Sequence, residues 1–325
     1  MAALDQETLD LFARTVRSVF DASHDDRTAA LEDVGWRDIL TTDARAVVPL
    51  VFGLQGERRA RSAMLDDVAI EAMEPGSPEW LDGLGQASYV HLEPRSAVAA
   101  RLDGDDLVVD GLALRETRDG RIATLARAGD GMFLATAPAS AVERTDIRGM
   151  DPTLGLVRVS GRVGAGTFEL SDVAAPDATA PACRRAVAYE LIGLGQAMLD
   201  VTAEYAGVRE QFGQPIGSFQ AVKHRLADVL VALRAAGVAA DESWNGDTVF
   251  AAAAAKCLAG RAFRLAAENC LQVMGAIGFT LEHDLHRFIL RGTVLDVLYG
   301  SARELRVELG RALVERGRVP RPGVL

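Results

Sequence analysis

Cysteine is scarce in this chain: three thiols, Cys183, Cys257 and Cys270, stand at spacings that match no metal-binding pattern. An odd, widely spaced trio cannot build the dense disulfide framework of a small secreted domain, so all three are expected to be reduced core filler. Aromatic residues make up only 6%, and basic residues are outnumbered, 35 Lys and Arg against 46 Asp and Glu. The resulting net charge of -11 argues against nucleic acid as a main partner, although a local basic pocket could still hold an anion. Long apolar runs are missing too. The most apolar stretch, Val249 to Ala255, is far too short to span a bilayer, so no membrane is expected as a partner. The start, Met1-Ala2-Ala3-Leu4-Asp5-Gln6-Glu7, has no basic segment leading into an apolar one, and the expectation is a cytoplasmic protein.

What is present suits a folded chain of two or three domains. It has 325 residues, 49% of them hydrophobic. Residues 1–80 read as a helical domain, with a stripe of Leu9, Phe12, Val16 and Phe20 and later apolar clusters around Leu31 and Val51. Asp25-Asp26-Arg27-Thr28 and Thr41-Thr42-Asp43 are helix start signals. Arg58, Arg59 and Arg61 read as a solvated helix face. The texture changes at Glu74-Pro75-Gly76-Ser77-Pro78. Residues 81–180 hold short alternating runs, among them 97–102 and Leu107-Val108-Val109, with Asp103-Gly104 as a hairpin turn between those two. Such a series predicts a small β-barrel or sandwich. Residues 181–325 are helical again, in segments 184–209, 218–240, 246–276 and 282–315, broken once by the polar run from Asp241 to Asp247. That pattern predicts a four-helix bundle, and an α+β chain that is mostly helical.

The stretch from Arg209 to Gln220 joins the first two long helices. Gly213 and Pro215 are expected to end the first, and Ser218 to cap the second. The corner offers an arginine fork and fresh backbone N–H groups, both suited to phosphate. Physics alone would equally allow a plain helical hairpin with a solvated arginine. The pattern Tyr205-Ala206-x-x-Arg209-x-Gln211-Phe212-Gly213-x-Pro215-Ile216-x-x-Phe219-Gln220-Ala221-Val222-x-His224-x-x-Ala227-Asp228, however, resembles the signature of the acyl-CoA dehydrogenase family. So many matches at fixed spacing are specific. The order of helices, strands and bundle is also that family's domain order, although the motifs themselves are strong only from about residue 181.

A second stretch, Gln272-Val273-Met274-Gly275-Ala276-Ile277-Gly278-Phe279-Thr280-x-Glu282, is similar to another C-terminal motif of the family, with Ala276 where a glycine is usual. In the family the two motifs bind FAD whose ring sits in the neighbouring subunit. The resemblance thus implies Arg209, Gln211, Phe212, Phe219, Gln220, Gln272 and Gly275 as cofactor-binding residues. Gly193-Leu194-Gly195 is no dinucleotide fingerprint, since Met198 replaces the third glycine inside a helix; these small residues serve close helix packing instead. His283 and His286 could face one metal, but no further ligand stands near and no metal is expected.

The resemblance fails at the catalytic base. Family members remove an α-proton of an acyl-CoA thioester with a carboxylate while the flavin takes a hydride. Most carry that Glu before a Gly-Thr late in the chain; here Tyr299 precedes Gly300-Ser301, and a phenol with a pKa of about 10 is a poor base. A minority carry it at the start of the first C-terminal helix. Counting back from Gln196 by the family spacing reaches Cys183, followed by Arg184, an arginine that many members share. Neither place has a carboxylate, which leaves Arg184 and Tyr299 as substrate-side candidates without a catalytic residue. The strand region keeps Glu93-Pro94 but lacks the family's other flavin-covering segments.

Shortened subunits of this kind, ending in a similar Tyr-Gly-Ser turn, pair with a complete subunit in α2β2 enzymes of bacterial steroid side-chain degradation. The resemblance therefore implies a β-type subunit of an FAD-dependent acyl-CoA dehydrogenase, with a longer paralogue supplying the Glu. An acyl-CoA is then the substrate and an electron-transfer flavoprotein the acceptor. Two other readings stand beside it: a homo-oligomeric enzyme using Glu190 or Asp296 as base, and an inactive family member with a structural or regulatory role.

Overall fold

The computed structural model describes residues 4–22, 27–73, 84, 87–94, 96, 98–114, 120–245 and 248–318. The expected boundary from Glu74 to Pro78, the Asp25-Asp26 signal, the start of the 97–102 run and Gly246-Asp247 lie outside the described residues. By internal contacts the chain divides into two units: Met1–Val48 with Arg61–Cys183, and Pro49–Ala60 with Arg184–Leu325.

In the first unit, α1 (Gln6–Asp21) starts where the Asp5 carboxylate accepts from the Thr8 N–H at 2.7 Å. Its apolar stripe buries Phe12, Val16 and Phe20 as the spacing requires, together with Val19, while Leu9 stays half-buried. After α2 (Arg27–Asp33) comes α3 (Trp36–Arg58), which breaks at Asp43, φ -152° and ψ 72°. There Asp43 Oδ1 accepts from the Ala46 N–H at 3.1 Å, so the expected start signal restarts the helix from inside. In α4 (Met64–Met73) nearly every side chain is buried, acids included. Asp67 accepts from Trp36 Nε1 at 3.1 Å. Asp66 accepts from the Tyr89 N–H at 3.1 Å and lies 2.8 Å from His91 Nε2. Buried carboxylates persist only with such partners, and these tie the helices to the strands.

Those strands are β1 (Ser88–Tyr89), β2 (Ala100–Asp103), β3 (Asp106–Ala113), β4 (Arg121–Ala128), β5 (Gly131–Pro138), β6 (Glu143–Asp146), β7 (Val157–Val163) and β8 (Glu169–Ser171). They form one sheet in the order β6-β7-β3-β2-β4-β5-β8, with β1 added on β4. All pairs are antiparallel except β1–β4 and β2–β4. The expected turn at Asp103-Gly104 is a two-residue loop, Gly104-Asp105, inside the pair Asp103 and Asp106. Alternation along β3 and its neighbours buries Leu107, Val109, Ile122, Ala135 and Val159 in a common core.

The second unit contains the end of α3, the part of α5 (Thr179–Val208) from Arg184 on, α6 (Gln220–Glu242), α7 (Thr248–Met274), α8 (Leu285–Val297) and α9 (Ala302–Arg316). The single helix expected over 282–315 is two helices. Leu298 is extended (φ -66°, ψ 131°), and Tyr299 and Gly300 both have positive φ, 58° and 100°. A new helix then begins under a capping box, in which Ser301 Oγ accepts from the Glu304 N–H and Glu304 from the Ser301 N–H. No described helix is long and apolar enough to cross a membrane.

Close packing in this unit rests on α3 crossing α5. A Cβ built on Gly193 would collide with the Gly53 carbonyl oxygen, and one on Gly56 with the Glu190 carbonyl. Beside the crossing, Gln55 Nε2 donates to Glu190 Oε2 at 2.9 Å, and Arg291 Nη1 donates to the Ala60 carbonyl at 2.9 Å while facing Glu190 Oε1 at 3.7 Å. Helix propensity alone would make Gly193→Ala stabilising by about 1 kcal/mol. The backbone contact reverses the sign: urea unfolding is expected to show a loss of roughly 1–3 kcal/mol, the cost of overpacking. A stabilised variant would contradict this packing.

Candidate functional site

Helix α5 ends at Val208, earlier than Gly213 and Pro215 would end it. In place of a simple helical corner, β9 (Glu210–Gln211) and β10 (Gln214–Pro215) pair antiparallel around Phe212-Gly213. Both turn residues have positive φ, 53° and 80°, the requirement of a two-residue hairpin loop. A phenylalanine in that region is strained by about 1–3 kcal/mol, and such strain is a pointer to function. Its ring is 93% exposed and meets Phe219 edge-on, centroids 6.1 Å apart. The Arg209 backbone anchors the hairpin, its N–H donating to the Tyr205 carbonyl at 2.9 Å and its carbonyl accepting from Ile216 at 2.7 Å. Its guanidinium is exposed and finds no partner among the described residues.

Gln211 Nε2 donates to the Glu210 carbonyl at 2.7 Å. Gln220 is exposed on the first turn of α6. Ser218 does not cap that helix: the N-cap is Phe219, without a side-chain bond, and Ser218 Oγ donates to the Pro215 carbonyl at 2.7 Å. The hairpin rotates Ser218 back toward the turn, a displacement that helix signals cannot foresee.

The second motif lies where α7 ends. Gln272 is exposed on the last turn, and Gly275, at φ 64°, takes the left-handed conformation that stops the helix and bares its backbone. A short 3₁₀ turn, Gly275–Phe279, follows, and Phe279 (73%) and Leu281 (83%) project outward. His283 and His286 each engage one ring nitrogen near the start of α8: His283 Nδ1 accepts from the Leu285 N–H, and His286 Nδ1 lies 2.7 Å from the His283 carbonyl. Among the described residues, no side-chain hydrogen bond joins Gln272 to the Arg209–Gln220 corner.

At the expected base position the chain is tightly held. Lys256, fully buried, donates Nζ to the Asp296 carbonyl at 2.9 Å and to the Gly300 carbonyl at 3.3 Å. Asp296 Oδ1 accepts from the Ala302 N–H at 3.2 Å. Arg184 donates Nε to the Tyr299 carbonyl at 3.1 Å and grips Glu308 with both terminal nitrogens, each at 3.1 Å. The structure therefore brings Arg184 and Tyr299 together, with the Tyr299 side chain buried. Carboxylates close to this turn are already engaged: Asp296 with Ala302, Glu304 with Ser301, Glu308 with Arg184. Cys183 is buried, and Glu190 sits in the Gln55–Arg291 cluster. Lys256 was missed at the sequence level. The visible signal is a lone cation after the alanine run 251–255, a charge placed on a face that must be buried.

Two of the three Arg residues expected to be solvated around the end of α3, Arg59 and Arg61, also have partners. Arg59 pairs with Asp284 at 3.0 Å and lies over the Phe288 ring at 4.6 Å, and Arg61 reaches the Leu114 and Gly155 carbonyls at 3.5 Å.

A helical region, a sheet and a helical bundle in this order define an acyl-CoA dehydrogenase fold. The steroid ACAD Tcur3481–Tcur3483 superposes with a TM-score of 0.77 at 21% identity, over 96% of this chain and 99% of that one. The ChsE4–ChsE5 complex from Mycobacterium tuberculosis superposes with a TM-score of 0.76 at 20% identity, over 99% of this chain and all of the other. Residues 179–313 match the family model described as acyl-CoA dehydrogenase, C-terminal domain. Over this stretch the chain is similar to the acyl-CoA dehydrogenases. Acyl-CoA dehydrogenase IpdE2 of Mycobacterium tuberculosis is 38% identical over 157 residues, 48% of this chain and 47% of that protein. The chain thus spans about half the length of that relative.

Burial pulls the Lys256 ammonium down to a pKa of about 8, against the opposing pull of Asp296. An unfolded lysine titrates near 10.4, so between those values the unfolded chain holds a proton the folded one has released. Stability from this residue therefore rises with pH from about 8 to about 10.4, by up to about 1.4 kcal/mol per pH unit. Chemical unfolding of the native chain and of Lys256→Met at pH 8 and pH 10 is expected to differ by that slope. Parallel pH profiles would refute the titration.

Proposed function

We propose that this chain is the shortened, β-type subunit of a heteromeric FAD-dependent acyl-CoA dehydrogenase. The observation that carries the proposal is an asymmetry. The Arg209–Gln220 corner and the Gln272–Gly275 turn face outward with a guanidinium that meets no partner among the described residues, exposed amides and bare aromatic rings. The Leu298–Ser301 turn, by contrast, presents a tyrosine where a base is needed, and its nearby carboxylates are committed to structure.

The donor set suits FAD: a guanidinium fork and a primary amide for a diphosphate, a left-handed glycine that lets backbone approach, and aromatic faces for a flat ring. When bound, FAD accepts the hydride from the β-carbon of a CoA thioester. Arg209, Gln211, Gln220 and Gln272 would hold the diphosphate of a cofactor shared with the partner, while Phe212, Phe219 and Gly275 would shape its cradle. Arg184 and Tyr299 line the substrate side, with Arg184 fixing the turn through the Tyr299 carbonyl. The partner, a longer acyl-CoA dehydrogenase paralogue, supplies the Glu that removes the α-proton. A steroid-derived acyl-CoA is the proposed substrate, supported by the steroid ACAD among the similar folds. An electron-transfer flavoprotein is the proposed acceptor and the cytoplasm the proposed location.

Co-purification decides the matter. Expressed alone, the chain is expected to bind substoichiometric FAD and to leave dye unreduced with any acyl-CoA. Expressed with its longer paralogue, it is expected to form a yellow α2β2 complex with activity. A yellow, active homo-oligomer of the chain alone would sink the proposal. Within the complex, Arg209→Gln removes a charge-assisted contact, and FAD affinity is expected to fall about ten- to hundredfold by fluorescence titration.

A further inference from the structure

Between α6, α7 and α9 the second unit encloses an open cavity of about 510 Å³. Four guanidiniums line it, Arg261 and Arg264 from α7 and Arg303 and Arg306 from α9, against a single carboxylate, Glu268. None of the four lies within ion-pair distance of a carboxylate among the described residues; the side-chain bond Arg264 makes is to the Gly260 carbonyl on its own helix, at 3.4 Å. Several other arginines do take a carboxylate, as in Arg158 with Asp110, Arg184 with Glu308 and Arg287 with Asp284. Gathering four such cations around one concavity makes a local positive patch in a chain of net charge -11. It also costs stability, because each pair sits at i,i+3 spacing, where like charges repel. Their field reaches inward: Arg261, Arg306 and Arg264 pull the Cys257 thiol down against the burial that pushes it up.

We propose that this cavity is a binding site for a phosphorylated small molecule of nucleotide size. Its volume falls in the range of small-ligand sites. Four alanines with Leu258 and Leu265 make the rest of the lining apolar, which suits a flat ring system. The lining also carries planar forks from two helices, groups that can take up phosphate oxygens two at a time. No residue of the Arg209–Gln220 corner or of the Gln272–Gly275 turn lines the cavity, so the site is independent of the proposed FAD contacts.

The test is calorimetric titration of the purified chain with ADP, with adenosine and inorganic pyrophosphate as controls, at low and high salt. ADP is expected to bind, adenosine not, and added salt to weaken the interaction by screening. In the double variant Arg303→Gln/Arg306→Gln the ADP affinity is expected to fall at least about tenfold, with loss of the bidentate contacts. Arg209→Gln is expected to leave it unchanged. The melting temperature of the double variant is expected to hold or rise, since repulsion is relieved; if it fails to fold, Arg261→Gln/Arg264→Gln takes its place. The assignment is overturned if ADP does not bind, if binding survives the loss of these arginines, or if Arg209→Gln abolishes it. It is equally overturned if the chain binds ADP alone but not in complex with the longer subunit, because the cavity then receives an acidic segment of that partner.

Discussion

One buried cation organises the end of the bundle. Lys256 puts its ammonium between the Asp296 and Gly300 carbonyls, the last outward-pointing groups of one helix and of the turn that follows. A cation at a helix C-terminus offsets the partial negative charge gathered there. Here it does so fully buried, and its desolvation is tolerated because the donated bonds are made. The turn it pins carries two residues of positive φ and the start of the last helix. Asp296 and Arg184 brace the same few residues from other sides. The turn at Leu298–Ser301 is thus a structural joint.

That joint explains why the two halves of the proposed site differ in character. Around Tyr299 the charged groups Arg184, Lys256, Asp296, Glu304 and Glu308 already have partners within the chain, and such groups are costly to release for chemistry. Around Arg209 and Gln272 the opposite holds, with exposed donors, a strained aromatic and a helix end left open. Open donors at a unit's edge suit a cofactor held mostly by another molecule. A closed, satisfied turn suits a surface whose reactive group comes from elsewhere.

Much of this was legible in the residues. The stripe of Phe12, Val16 and Phe20, the alternation around Leu107 and Val109, and the long helices after residue 179 follow from periodicity. The restart at Asp43 was visible as a start signal. Other features were not. The hairpin at Phe212-Gly213 places a phenylalanine where Asn or Asp is expected, so local propensity pointed to a plain corner. The break at Leu298–Ser301 hid inside an apolar pattern that continues in period across it, although Ser301 and Glu304 spell a capping box. The arginine cavity needed three helices in register, which one-dimensional spacing does not give. The motif residues came by resemblance, and the coordinates add their exposure and partners.

The crossing of Gly53 and Gly193 has a consequence for the order in which the molecule is made. Residues 49–60 belong with helices that leave the ribosome more than a hundred positions later, and the Gln55–Glu190 and Ala60–Arg291 bonds close loops of 135 and 231 residues. Contacts that distant form late, since chain closure must precede any gain from them. The stretch 179–313 that matches as a domain is therefore not a self-contained folding unit: cut out by itself, it would lack the helix that covers Gly193 and leave Glu190 and Arg291 facing a missing neighbour.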